Sequence, residues 1–329
     1  MRKLLFFILL LAGVLVGSCV ESRSQMRFFD EAGKVDLRRL KAEAIEIVRD
    51  GLADENPFVR ERAIKVVSEA DIKQLMPTVA KLLKDEVVEV RFAAAEAIGD
   101  VRYTAAEYGL GGLLRDRDDN IKLAAAYALT RLGKGNYSSI IRNSAKSKEQ
   151  TLRANAVMLL GKLGNKKDIG LLYEVIRDLD SRDWVKIRAV EAIARLGDEK
   201  VYRSKCWPLL ISKYADDRIM GIKAMSELGT SEASNAIKTM LYDDIVEVRL
   251  YAAGQLGRLG DTAGEVEVLG YLKEQLGGAD EWSLAGETAV TAIGQIGTDE
   301  LAGFLPRFIN SRNKLIRLSG AQSALLLAR

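Results

Sequence analysis

Apolar positions along this chain follow two nested rhythms. In the stretch from Asp85 to Arg115, DEVVEVRFAAAEAIGDVRYTAAEYGLGGLLR, the residues Val90, Ala94, Ala97, Ile98 and Val101 follow the spacing of one helical face. A second run carries its own stripe, as in Leu75, Val79, Leu82 and Leu83. The stretch predicts two short helices joined by a tight turn. Variants of it then fill most of the sequence. Aligned on the basic residue after Val90, the counterparts are Arg60, Arg91, Lys122, Arg153, Lys186, Arg218, Arg249 and Arg317, with Gly286 in one slot. The steps are 31, 31, 31, 33, 32, 31, 37 and 31 residues. A near-fixed period in this range marks a solenoid, in which no helix pair buries its stripe alone and units must stack.

Polar and small positions sharpen the pattern. Three residues after the slot stands Ala or Gly every time, from Ala63 and Ala94 to Ala289 and Gly320, which lets neighbouring helices approach closely. Most first helices end in Leu-Gly or Ile-Gly, at Gly133, Gly164, Gly197, Gly229, Gly260 and Gly297. Glycine there predicts a left-handed closing residue. Six positions before the slot stands Asp (54, 85, 116, 180, 243, 280) or Ser (147, 212, 311), the expected N-caps. Pro57, Pro77, Pro208 and Pro306 all fall near expected helix starts. Leu37 to Gly51 reads as a capping helix without a full partner unit. The 37-residue step, with Gly277-Gly278, predicts a kink or loop after Asp261. The last unit, Asn310 to Arg329, lacks a second helix and ends apolar, so the chain stops at a half unit or a partner covers that end.

The positions Asp85, Val90, Arg91, Ala94, Ala97 and Ile98, with their counterparts, resemble the HEAT family, in particular the short HEAT-like repeats named for phycobilin lyase subunits. The resemblance spans roughly Asp36 to Arg329 and implies an all-α superhelix of stacked helix pairs, armadillo-type. It also implies a structural ladder between the acidic and basic positions of adjacent units, and second helices lining the concave face.

Composition narrows the chemistry. The chain of 329 residues has no histidine and only two cysteines, which removes the commonest general base and any internal disulfide framework once one thiol is committed elsewhere. Its formal charge of +3 includes Arg2 and Lys3, so the chain without its leader is close to neutral and does not read as a nucleic-acid binder. The leader is the most specific local signal. A basic start is followed by the apolar run Leu4 to Val16, shorter than the ~20 residues of a spanning helix. It closes on Val16-Gly17-Ser18-Cys19, which resembles the bacterial lipobox. The expected organisation is a signal peptide (1–18), a tether lipidated at Cys19 (19–35) and a repeat solenoid (36–329).

No phosphate loop, nucleophile triad or zinc spacing occurs, and no catalytic residue, metal ligand or cofactor is expected. Asp118-Asp119, Asp216-Asp217 and Asp243-Asp244 fall at inter-unit turns and read as caps. Lys205-Cys206 reads as a half-buried thiol at a helix start, not a reactive one. The tryptophans Trp184, Trp207 and Trp282 all lie in the C-terminal half and mark the candidate partner surface. The resulting expectation is a non-enzymatic scaffold in the bacterial envelope, outside the cytoplasm. It is held to membrane by its lipid and binds other envelope proteins, with no small-molecule substrate. Two alternatives are an accessory subunit resembling the phycobilin lyases, which handle a bilin, and a DNA-binding role like that of the alkylpurine DNA glycosylases. Export argues against both.

Overall fold

A computed structural model describes residues 27–31, 33–275 and 283–329. Ten long helices organise it: α1 Leu37–Leu52, α2 Pro57–Glu69, α3 Val88–Val101, α4 Asp119–Arg131, α5 Gln150–Leu163, α6 Asp183–Arg195, α7 Ala215–Leu228, α8 Val246–Arg258, α9 Leu284–Ile296 and α10 Lys314–Leu327. Helices α2 to α10 carry the slot residues. Each packs on the next in an inner layer of parallel helices. Shorter turns of helix, such as Glu107–Leu113 and Ile169–Arg177, return the chain along the outside.

The stack closes on itself. Helix α10 touches α2, and α1 lies across the joint against both. Gly51 makes that fit possible: a Cβ on it would stand 3.0 Å from Ala63 Cβ and 3.1 Å from a Leu318 methyl. Polar bonds cross the joint as well. Lys314 reaches Asp54 at 2.7 Å, Arg62 reaches Glu287 at 3.2 Å, and Lys41 donates to the Ala328 carbonyl at 2.7 Å. Asp36 caps α1, and Phe28 is fully buried beside it. The apolar end of the last half unit is therefore covered neither by solvent nor by another molecule. Helix α1, some 260 residues upstream, serves as its missing second helix.

The family expectation that second helices line the concave side is reversed here: slot-bearing helices form the inner wall. The inner circle is the shorter one, so its helices must come closest together, and these are the Ala- and Gly-rich helices. At Gly161 an added Cβ would lie 2.8 Å from Ala192 Cβ and 2.9 Å from its Cα, inside the contact distance of any side chain.

All six predicted closing glycines have positive φ, from 67° at Gly229 to 82° at Gly260. The first two units close the same way without glycine, at Asp71 (φ 52°) and Arg102 (φ 56°). The four prolines occupy the first or second helical position of their elements. The aspartates six before the slot need a correction. Asp54, Asp85, Asp116 and Asp243 sit ahead of the N-cap, and each carboxylate accepts from the amide two residues on: Asp54 from Asn56, Asp85 from Val87, Asp116 from Asp118, Asp243 from Ile245. In the unit of Lys186 Asp178, not Asp180, takes this part, and Asp280 lies outside the described residues. The helix starts are capped instead by Asn56, Asp118, Glu149 and Asn313. The bend that delivers the chain to each helix forms first, and it uses the aspartate.

That placement frees the second carboxylate oxygen for the ladder. Arg60 grips Asp85 with two bonds of 2.9 and 2.8 Å, and Arg218 grips Asp243 with two of 2.7 Å. Arg153 bonds Asp178, and Arg91 approaches Asp116 at 3.5 Å. The guanidiniums of Arg60, Arg91, Arg218, Arg249 and Arg317 also donate to the carbonyl six residues before them, as Arg91 does to Asp85 at 2.8 Å. The ladder is thus structural, and Lys314–Asp54 is its closing rung. In the long step, the helix Glu265–Gln275 extends the outer layer; Gly277-Gly278 lie outside the described residues.

Candidate functional site

Parallel inner helices give the ring two unlike rims. The start rim is where the long helices begin and the ladder runs. The glycine rim is where they end. Between them the helices surround a cavity of about 900 Å³. Every residue lining it comes from α2 to α8 or the residue preceding α4, and the short outer helices contribute none.

The cavity wall is polarised. Helices α2 and α3 bring Glu61, Glu89, Glu96 and Asp100; α6, α7 and α8 bring Arg188, Arg195, Lys223 and Arg258. Lys162 on α5 reaches past α4 to Glu96 at 2.7 Å and Asp100 at 2.5 Å. Tyr127 donates to the same Asp100. Burial alone would lower the Lys162 ammonium, but the two carboxylates outweigh it and hold its pKa above the ordinary value. Burial, together with Asp100, pushes the Tyr127 phenol up. On the opposite wall, buried Glu191 is held by Lys223 at 2.9 Å and Arg188 at 3.3 Å. Arg195 forks onto Glu227 at 2.9 and 2.7 Å. Burial opposes ionisation of Glu227, yet Arg195, Arg258 and Lys223 hold its pKa below the usual carboxylate range. Lys162 and Glu227 are thus fixed in their charged forms at neutral pH. Phe92 and Met158 supply apolar surface beside them.

The start rim differs between the two halves of the ring. Seven residues before the slot, the first four units carry Ala53, Lys84, Arg115 and Lys146. The next three carry Leu179, Ile211 and Tyr242, which are 93%, 69% and 90% exposed. Tyr214 and Ile245, both four before their slots, and Trp184 on the first turn of α6 are exposed as well. Ile211 and Tyr242 directly precede the residue that begins the bend, and Leu179 directly follows the rung residue Asp178, so all three stand at the same rim in successive units. The N-terminal half also exposes Phe58 and Tyr108, but not at a shared position in the repeat.

The sequence-predicted residues scatter relative to these features. Trp184 belongs to the start-rim row. Trp207 lies in the outer layer, partly exposed, with its ring 6.4 Å from that of Tyr202. Trp282 and Cys19 lie outside the described residues. Aromatic content had pointed to the right half of the ring, but Leu179, Ile211 and Tyr242 were missed. A comparison of the slot-minus-seven position across units would have found them. Cys206 is fully buried, and burial pushes its thiol up to about 12, so Lys205 does not activate it. Asp217 accepts from the Ser212 hydroxyl, and Asp243 and Asp244 both hold Arg218, so these pairs are structural. Among the described residues no helix is long and apolar enough to cross a membrane.

Stacked helix pairs, the arginine–aspartate ladder and the small-residue inner wall define the class. A family model described as HEAT repeats matches residues 45–130, and the chain is a HEAT-like repeat protein. It is similar to the uncharacterized phycocyanin operon protein Z of Pseudanabaena tenuis, at 26% identity over 163 residues, 47% of this chain and 81% of that protein. Among solved structures it is similar to the CpcE–CpcF complex of phycocyanin lyase from Nostoc (18% identity, 76% of this chain and 94% of that one, TM-score 0.41). Human deoxyhypusine hydroxylase is another (16% identity, 79% and 98%, TM-score 0.37).

Proposed function

We propose that this chain is a membrane-anchored scaffold of the bacterial envelope, tethered by lipid on Cys19, that docks a partner protein on the start rim of its C-terminal half. The observation that carries the docking site is the exposure of Leu179, Ile211 and Tyr242 at the turns before three successive long helices. Interface centres are depleted of charge and enriched in aromatic side chains such as Tyr242. The anchor rests on the lipobox-like run ending in Cys19. To test docking, Leu179→Ser, Ile211→Ser and Tyr242→Ser are combined and the chain is used to capture partners from its native envelope. Capture falls by roughly tenfold or more while the melting temperature holds. Capture that is undiminished refutes the site. To test the anchor, Cys19→Ala is fractionated; a variant as firmly membrane-bound and as fully processed as the parent refutes it.

The cavity favours a second reading, that of an accessory subunit resembling the phycobilin lyases. Its charged walls and the apolar patch at Phe92 and Met158 suit an amphipathic ligand of bilin type. Titration with a bilin distinguishes the readings: a saturable shift of its absorption that is abolished by Phe92→Glu supports the second.

A further inference from the structure

The two rims also differ in charge, and the segment that leads into α1 lies at one of them. Helix α1 runs antiparallel to α2, so its first residues lie at the glycine rim, with Phe28 and Asp36 beside them; the Lys41–Ala328 bond fixes this. Around the adjoining arc of that rim, Arg38, Lys73, Arg102, Lys134, Lys166 and Lys167 are all exposed. Lys73 and Lys134 have carboxylate neighbours, Asp71 at 3.6 Å and Glu107 at 3.0 Å. Among the described residues, no carboxylate pairs with Arg102, Lys166 or Lys167. Farther round, the same rim turns acidic at Glu232, Asp299 and Glu300. The start rim of the basic units is balanced instead: exposed Glu55, Glu86 and Asp119 offset Lys84, Arg115 and Lys146.

From this placement we propose that the basic arc of the glycine rim is a docking face for an anionic lipid surface, which orients the ring on its membrane with the start rim pointing away. This rests on the anchor reading above for its biological setting, but the arc itself does not depend on it. Two independent features agree. One is charge: a cluster of exposed, unpaired Lys and Arg beside an anchoring segment is attracted to acidic headgroups. The other is reach. The eight residues from Cys19 to Arg27 extend at most about 27 Å. A 14-residue inner helix makes the wall about 21 Å tall. The tether reaches a membrane lying against the glycine rim with slack. To reach one on the start rim it would have to run nearly straight along the whole wall. The apolar row of the start rim is then presented away from the bilayer, where a protein partner meets it.

The test uses the unlipidated chain from residue 20 onward, which keeps every residue of the ring, with its melting curve as the control for folding. Its partition is measured on vesicles of phosphatidylcholine alone and of phosphatidylcholine with one-third phosphatidylglycerol. Binding to the anionic vesicles is stronger by about tenfold or more and falls steeply with salt. Combined Arg102→Glu, Lys166→Glu and Lys167→Glu removes most of that preference. The matching start-rim set, Lys84→Glu, Arg115→Glu and Lys146→Glu, leaves it in place. Equal partition onto both vesicles, or equal loss from both sets, overturns the proposal. The two readings separate cleanly. Cys19 found unmodified in cells, with anionic preference intact, sinks the anchor and leaves the lipid face. A lipidated Cys19 with no vesicle preference does the opposite.

Discussion

The units with slots at Arg60 to Arg153 and those at Lys186 to Arg249 share one inner wall and differ nearly everywhere else. The first set keeps a strict 31-residue step, exposes charge at the start rim and gathers unpaired cations at the glycine rim. The second steps by 33, 32 and 31 residues between successive slots from Arg153 onward and exposes Leu179, Ile211 and Tyr242. Rungs to the neighbouring unit occur in both, at Arg60, Arg91, Arg153 and Arg218, and so does the small residue three after the slot. Positions that contact only solvent have diverged. Stacking therefore constrains one side of each unit, and the rims are free to acquire different partners in different arcs.

The ladder offers the hardest test of what the halves share. Arg218→Ala leaves Asp243, its side chain only 6% exposed, without its guanidinium. Breaking such a buried pair should cost about 3–5 kcal/mol of stability. Arg91→Ala, whose contact to Asp116 is a looser 3.5 Å, should cost about 1–3 kcal/mol. Chemical denaturation of the two variants reads the difference, and an equal or inverted order would show that the rungs are not individually structural. Next in size is the inner wall. Gly161→Ala forces α5 from α6 and should cost about 1–3 kcal/mol, whereas alanine at Gly170, in the outer helix Ile169–Arg177 with open space around it, should stabilise by up to about 1 kcal/mol. A Gly161 variant that melts like the parent would refute the close approach.

Acidity acts on both halves through the same carboxylates. The bond from Lys314 lowers Asp54; Arg60 lowers Asp85 and Arg218 lowers Asp243, in both cases against the opposing effect of burial. A depressed folded-state pKa contributes stability that is present above the unfolded value, near 4, and is lost as pH falls through the folded value. The ring should keep its melting temperature down to about pH 5 and lose it steadily below about pH 4. In the Lys314→Met variant that loss should be shallower, because Asp54 then titrates nearer its unfolded value. The smallest effect separates the first two units from the rest. Asp71→Gly relieves a left-handed residue and should stabilise by about 0.5–1 kcal/mol, measurable as a small rise in melting temperature.

Much of this architecture was legible in the sequence because a repeat states each rule several times. The closing glycines, the prolines, the buried small residues and the ladder each recur, so chance matches average out. What was misread involved single events. The aspartates were assigned one job when they do another, because a cap and a turn two residues upstream use the same side chain. Closure was invisible because it depends on how many units a full turn needs, a sum of small rotations that no local spacing encodes. The exposed side chains of the start rim were not legible because Leu179 and Ile211 are residue types common in helix cores, and only the fold shows them facing solvent.

Closure also changes how the chain can evolve and fold. An open stack can gain or lose a unit and still present a complete surface. Here Lys41 and Ala328, 287 residues apart, are bonded to each other, so the number of units is fixed by geometry much as strand number is fixed in a barrel. Deleting one internal repeat would not give a shorter ring; it would leave two apolar ends unable to meet. During synthesis α1 is made well before α10, so the face it buries against α10 waits until the intervening units have been made.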